Sequence, residues 1–247
     1  MNKKIIILIL LLTLSSCSNK EEKFNANYYY NKALKNIKSG NLTSANDYLE
    51  TIEIEHTYSN FAVKAEILKI FIYFLKKEYQ EVVIEADNFI KLRPANKFID
   101  YIYFIKAEAQ FKLSSDFLRE QENSQLAKRY YKIIEKRFPG SKYKKEANLK
   151  IEKLNSRIAN YNLDIGRNHL FSNNYISAIL RFQNIIKNYP ETIYYDEAIY
   201  RMIEALYGLG LKEDALNYNK KIKNKKWLRK KEKFINTHLK NDYKVTN

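Results

Sequence analysis

The feature that most constrains this chain is a small residue that returns at one place in a repeated pattern, at Ala45, Val82, Ala127, Ala178 and Ala215. The same succession surrounds each. The first unit has Ala33-Leu34, then Gly40-Asn41-Leu42, Ala45, Leu49 and Ile52. Its successor has Lys77-Glu78-Tyr79, Val82, Ala86, Phe89 and Pro94. A third has Ala107, Ala109 and Phe111, a longer connection, then Ala127, Tyr131, Ile134 and Phe138-Pro139. The fourth reads Gly166, Asn173-Asn174-Tyr175, Ala178, Phe182, Ile185 and Tyr189-Pro190, and the fifth Ala205-Leu206, Gly208, Gly210, Ala215 and Ile222. Self-similarity at such a period marks an array of supersecondary units that bury their apolar faces on their neighbours. Between the marker residues the apolar positions keep a helical period, as at Ile176, Ile179, Leu180, Ile185 and Ile186. Only 5 glycines and 3 prolines stand among 247 residues, so few breakers interrupt the helix formers. The expected fold is all-α.

The pattern resembles the tetratricopeptide repeat, which implies a superhelix of about five helical hairpins. In each hairpin the small residues let two helices approach, a Gly- or Asn-type turn joins them, and proline follows the second. A long helix is expected at about Tyr143 to Phe171. It divides repeats 1–3, residues 28–140, from repeats 4–5, residues 141–223, and a basic tail follows at 224–247. Such solenoids hold other polypeptides on a concave face. In the repeat register the groove-facing positions of the first helices include Tyr30, Leu34, Ile37, Ile67, Phe71, Phe74, Tyr101, Phe104 and Phe111. Their rings suit a peptide with apolar side chains. Internal packing explains the same rings equally well, because a one-position register error reverses the facing. Both readings stand at this point.

The start of the chain has a different character. Lys3 and Lys4 precede an apolar run from Ile5 to Leu12 and the small residues Ser15 and Ser16. That order describes an export signal, and the run is shorter than the roughly 20 residues of a membrane span. Leu14-Ser15-Ser16-Cys17 resembles the lipobox of bacterial lipoprotein precursors. The resemblance implies a signal peptide over residues 1–16, cleavage before Cys17 and lipid on its sulfur. Cys17 is the single cysteine, so core burial, not an internal disulfide, must hold the fold. Two or more acyl chains give stable anchoring. By the same resemblance Ser18 directs the protein to the outer membrane, and residues 17–27 form a polar, lipidated tether.

The formal net charge is +16, but no nucleic-acid-binding signature gives it form and an exported lipoprotein has no nucleic acid to meet. Between Lys220 and Lys233, nine of fourteen residues are Lys or Arg. A solvated terminal helix accounts for that run, as does attraction to anionic lipid or an acidic partner. Catalysis has little support. His56, His169 and His238 are far apart and lack metal-ligand spacing. Neither a nucleophile elbow nor a phosphate-binding glycine loop is present, so no enzyme activity, metal or cofactor is expected.

Several segments go beyond generic repeats. They are Arg93-Pro94 with Asp100-Tyr101-Ile102-Tyr103-Phe104, then Arg137-Phe138-Pro139-Gly140-Ser141-Lys142-Tyr143. Arg157-Ile158-Ala159 with Tyr161 follows, then Asn174 to Phe182 without a gap, and Tyr189-Pro190-Glu191-Thr192. With the lipobox and five repeats, they resemble the BamD (ComL) family of outer-membrane assembly lipoproteins. The resemblance implies a scaffold on the periplasmic face of the outer membrane that assists the folding and insertion of β-barrel proteins. Its C-terminal repeats would bind a periplasmic POTRA domain of the barrel protein BamA, with Arg181 at the contact. Its N-terminal repeats would receive unfolded outer-membrane proteins, and other assembly lipoproteins would be further partners. Asn162, where relatives often carry an acid, and His169-Leu170, in place of an aromatic pair, depart from the family pattern. The short connection after Phe111, with Asp116 and Arg119, departs too. The alternative is another periplasmic repeat lipoprotein, one that scaffolds envelope or peptidoglycan synthesis.

Overall fold

The computed structural model describes residues 24–114 and 121–239, of which helices form all the regular structure. Five helix–turn–helix units follow one another. They are α1 (Ala26–Lys38) and α2 (Leu42–Glu55), then α3 (Ala62–Leu75) and α4 (Tyr79–Leu92). Next come α5 (Ile99–Leu113) and α6 (Gln121–Arg137), and α7 (Lys144–Phe171) with α8 (Tyr175–Asn188). Last are α9 (Tyr195–Gly208) and the short α10 (Lys212–Asn217), which tightens into a 3-10 turn at Tyr218–Lys221. A terminal helix, α11 (Lys225–Phe234), ends in a π turn at Ile235–Leu239. The residues form two compact units, Met1–Ile72 and Tyr73–Asn247, and the division falls inside α3.

The five marker residues Ala45, Val82, Ala127, Ala178 and Ala215 are all 0% exposed, as the repeat pattern requires. One turn closes four of the hairpins. Gly40, Lys77, Asn173 and Gly210 take φ of 80°, 64°, 57° and 85°. The next N–H in each turn reaches back five residues, from Asn41 to Asn36 O (2.9 Å), Glu78 to Tyr73 O (2.9 Å), Asn174 to His169 O (2.8 Å) and Leu211 to Leu206 O (2.9 Å). These bonds satisfy carbonyls that a helix end otherwise leaves open. Pro94, Pro139 and Pro190 each stand two residues beyond the last turn of a second helix, where the missing N–H costs nothing.

The turns between hairpins repeat as well. Ser59, Asn96 and Ser141 accept, through their side-chain oxygens, the N–H groups of Phe61 (3.3 Å), Phe98 (2.9 Å) and Tyr143 (3.2 Å). Each thereby starts the next first helix and sets an aromatic residue at its entrance. In the first unit, Ala33, Ala45, Leu49, Ile52, Ala65 and Ile72 form the core. In the second, Phe182 of α8 is wholly buried and lies over Gly166 of α7, where a Cβ would meet the ring at 2.5 Å. That glycine is therefore a packing residue. Trp227 of α11 packs on Tyr200 of α9 at 5.4 Å between ring centroids, so the terminal helix has a buried apolar side and a basic exposed one.

Candidate functional site

The long first helices α5 and α7 carry the richest set of side chains. Tyr101, Phe104, Glu108 and Phe111 recur at helical spacing along one face of α5, and α7 answers each. Tyr143, at the entrance to α7, stacks on Phe104 at 4.7 Å and lies 5.7 Å from Tyr101. Tyr131 of α6 meets the other side of Phe104 edge-on at 6.3 Å. The Tyr101 hydroxyl is pushed far above its ordinary range by burial, with the neighbouring Tyr143 adding to the effect. Farther along, Tyr131 donates to Glu108 Oε1 at 2.5 Å, and Lys150 Nζ lies 2.6 and 2.8 Å from the two Glu108 oxygens. Glu108 is therefore buried but fully engaged, as an internal charge must be. Burial, followed by Glu108, raises the Tyr131 hydroxyl well beyond the usual tyrosine range.

Phe111 lies under three cations of α7: Lys150 at 4.8 Å, Arg157 at 5.1 Å and Lys153 at 5.6 Å from the ring centre. Arg157 also donates to the Ser114 carbonyl at 2.9 Å. Neighbouring Gln110 is buried, and its Oε1 has no donor among the described residues. Behind this face Lys106, only 2% exposed, is paired with Asp87 and stands 3.9 Å over the Tyr130 ring.

The remaining groove candidates fall in separate places. Tyr30 of α1 packs on Phe61 at 5.2 Å, with Lys64 over both rings, and burial raises its hydroxyl. Phe71 of α3 is half-buried, and Phe74 meets Tyr79 across the hairpin turn at 5.6 Å. All nine groove-facing candidates are half-buried. Each is thus packed against neighbours and keeps part of its surface exposed.

Arg181, exposed on α8, faces α7. Its Nη1 donates to Asn162 Oδ1 at 3.4 Å, a long bond shared with Asn184 Nδ2 at 3.2 Å. The Asn162 amide is itself buried and tied to the Ile158 carbonyl at 2.8 Å. Arg181 therefore leans on a neutral acceptor. A second contact joins α7 and α9, where Arg167 Nε donates to the buried Glu197 at 3.0 Å. Sequence reasoning passed over this pair, since its members stand 30 residues apart.

Cys17, the tether to Asn27 as far as residue 23, and Asp116 and Arg119 lie outside the described residues. Among the described residues no helix is long and apolar enough to cross a membrane, and no group of His, Cys, Asp and Glu could hold a metal ion.

Comparison with known proteins covers nearly the whole of this chain. A family model described as YfiO, outer membrane lipoprotein, matches residues 22–222. A protein of Rickettsia prowazekii (strain Madrid E), named outer membrane protein assembly factor BamD, is 30% identical over 229 residues, 90% of this chain and 91% of the relative. The protein of that name from Caulobacter vibrioides is 28% identical over 218 residues, covering 85% of this chain and 72% of its own. Its namesake in Neisseria meningitidis serogroup B is 24% identical over 217 residues, 80% and 81% of the two chains. The crystal structure of MamA protein aligns at 15% identity over 86% of this chain and 94% of that one, with a TM-score of 0.34, too loose a likeness to build on.

Proposed function

The chain belongs to the YfiO family of outer membrane lipoproteins, and from that premise we propose that it is a non-enzymatic scaffold of the β-barrel assembly machinery, anchored by lipid on Cys17. The observation that carries this reading is the reach of the likeness. Relatives named as assembly factors match 80 to 90% of the chain, not one repeat. Repeats 4–5, residues 141–223, hold a periplasmic POTRA domain of BamA. Arg181 contributes a guanidinium that leans on the neutral Asn162 among the described residues, suited to a bidentate pair with an acid of the partner.

Repeats 1–3, residues 28–140, receive unfolded outer-membrane proteins. The half-exposed rings of Tyr101, Phe104 and Phe111, flanked by Lys150, Lys153 and Arg157, offer apolar surface beside positive charge. That combination suits an extended segment rich in aromatic side chains. Tyr30, Phe71 and Phe74 offer further ring surface. Other assembly lipoproteins join the same scaffold, and neither cofactor nor nucleic acid takes part.

Affinity purification of the tagged chain from detergent-solubilised envelopes tests the reading. Recovery of the BamA barrel is expected. Recovery of peptidoglycan-synthesis enzymes without it would overturn the proposal.

A further inference from the structure

A cavity of about 460 Å³ lies along α6, lined by Lys128, Arg129, Lys132, Lys136 and Arg137 around the half-buried Ile133. Its lining contains no carboxylate, and none of its five cations forms an ion pair with the described residues. One of them is not merely a surface lysine. Lys128 is half-buried with its Nζ 4.6 Å over the Tyr189 ring, and burial together with the charge of Lys132 holds it down to about 8. Like charge is concentrated here, and among the described residues it is met by ring faces, Tyr189 for Lys128 and Tyr103 and Phe138 for Arg137, and not by a carboxylate.

We propose that this face of α6 binds an extended acidic polypeptide segment, with carboxylates at alternate positions meeting the row of Lys128, Lys132 and Lys136. The argument for that occupant is spacing. Lysines four residues apart on a helix rise by about 6 Å per step, while alternate side chains of an extended strand stand about 6.8 Å apart on one side. The row covers two steps, roughly 12 Å, longer than one phosphate group. A headgroup site would gather its cations round a point, whereas these are strung out. Arg129 and Arg137 form a second row beside the first; Arg129 can donate two parallel N–H bonds to one carboxylate, while Arg137 already donates from Nη1 to the Tyr103 hydroxyl at 3.3 Å. Ile133 between the rows gives an apolar contact to the segment's intervening residues. The surface is distinct in its residues from the Arg181 contact, so its test needs no BamA.

The full chain in detergent is mixed with a fluorescent ten-residue peptide of alternating aspartate and serine, and anisotropy is followed at several salt concentrations. Binding is expected to weaken with salt. It should fall by about tenfold in the double variant Lys132→Gln/Lys136→Gln, from two exposed ion pairs lost. Both side chains are exposed, and circular dichroism would verify that the helices persist. A charge-matched control, Lys226→Gln/Lys230→Gln on α11, should leave binding unchanged. Equal loss in the control would reduce the effect to net charge and overturn the proposal. So would full competition by inorganic phosphate, or by phosphatidylglycerol in mixed micelles, since either would make the cavity a phosphate or lipid site.

Discussion

Asn162 decides how available Arg181 is. An amide oxygen at 3.4 Å, already shared with Asn184, orients the guanidinium without neutralising it. A carboxylate in its place would form a charge-assisted pair roughly twice as strong. Asn162→Asp is therefore expected to tighten α7 on α8 and to reduce co-purification of BamA while the melting temperature holds or rises. Arg181→Glu should reduce it more, because like charges brought together at a contact cost several kcal/mol. Unchanged recovery in both variants would remove Arg181 from the interface. Lys128 gives a prediction in pH. Its folded value of about 8 lies below the ordinary 10.5, so between those values the unfolded chain binds the extra proton. Stability then rises with pH through that window, and below pH 8 the burden is present in full. Lys128→Gln should remove the slope. The difference between the urea-unfolding free energies of wild type and variant at pH 7.5 and 9.5 would show it. Subtraction removes the tyrosine contribution, which has the opposite sign above pH 10.

At the scale of the element, the hairpin turns separate what the residue pattern states from what it leaves implicit. Gly40, Asn173 and Gly210 announce a left-handed turn, whereas Lys77 adopts the same conformation without announcing it. The five small residues and three prolines were legible because close helix approach and a lost N–H admit few substitutes. Lys77 was not, because the turn's bonds overrule an unfavourable backbone. That strain is about 1 kcal/mol or more for a residue with a Cβ. Lys77→Gly is expected to raise unfolding stability by about 1 kcal/mol. Asn173→Gly should gain less, since asparagine tolerates the conformation and its Oδ1 accepts from the Tyr175 hydroxyl at 2.8 Å. Gly166 runs the other way. Alanine would gain about 1 kcal/mol in helix propensity, but its Cβ would stand 2.5 Å from the immobile Phe182 ring. Overpacking of that kind costs about 1–3 kcal/mol, and at this separation the overlap wins. Thermal unfolding should show Gly166→Ala less stable.

At the scale of the whole molecule, the repeat order and the long helix α7 followed from the sequence, while the candidate site followed only in part. Helix positions one residue apart point about 100° apart, so the sequence named Tyr101, Phe104 and Phe111 as a row without showing that Tyr143 and Lys150 of α7 answer them. The Arg181–Asn162 contact was likewise hidden, because both residues were singled out on separate grounds and only the closed α7–α8 hairpin joins them. These placements bear on how the chain is held at the membrane. Under the proposed function it has two attachments, lipid on Cys17 and BamA at Arg181, and each raises the effective concentration of the other. Cys17→Ser is a poor test of this, because blocking lipid transfer leaves the apolar signal in place. Delivery by an ordinary secretory signal that ends before Ser18 removes the lipid cleanly. That chain is expected to stay partly with the outer membrane through BamA, and Arg181→Glu alone to stay fully through its lipid. Combining the two should send nearly all of the chain to the soluble periplasmic fraction, a loss larger than the two separate losses added. Fractionation of envelopes with quantitative immunodetection measures it, and simple additivity would mean that the attachments are not coupled.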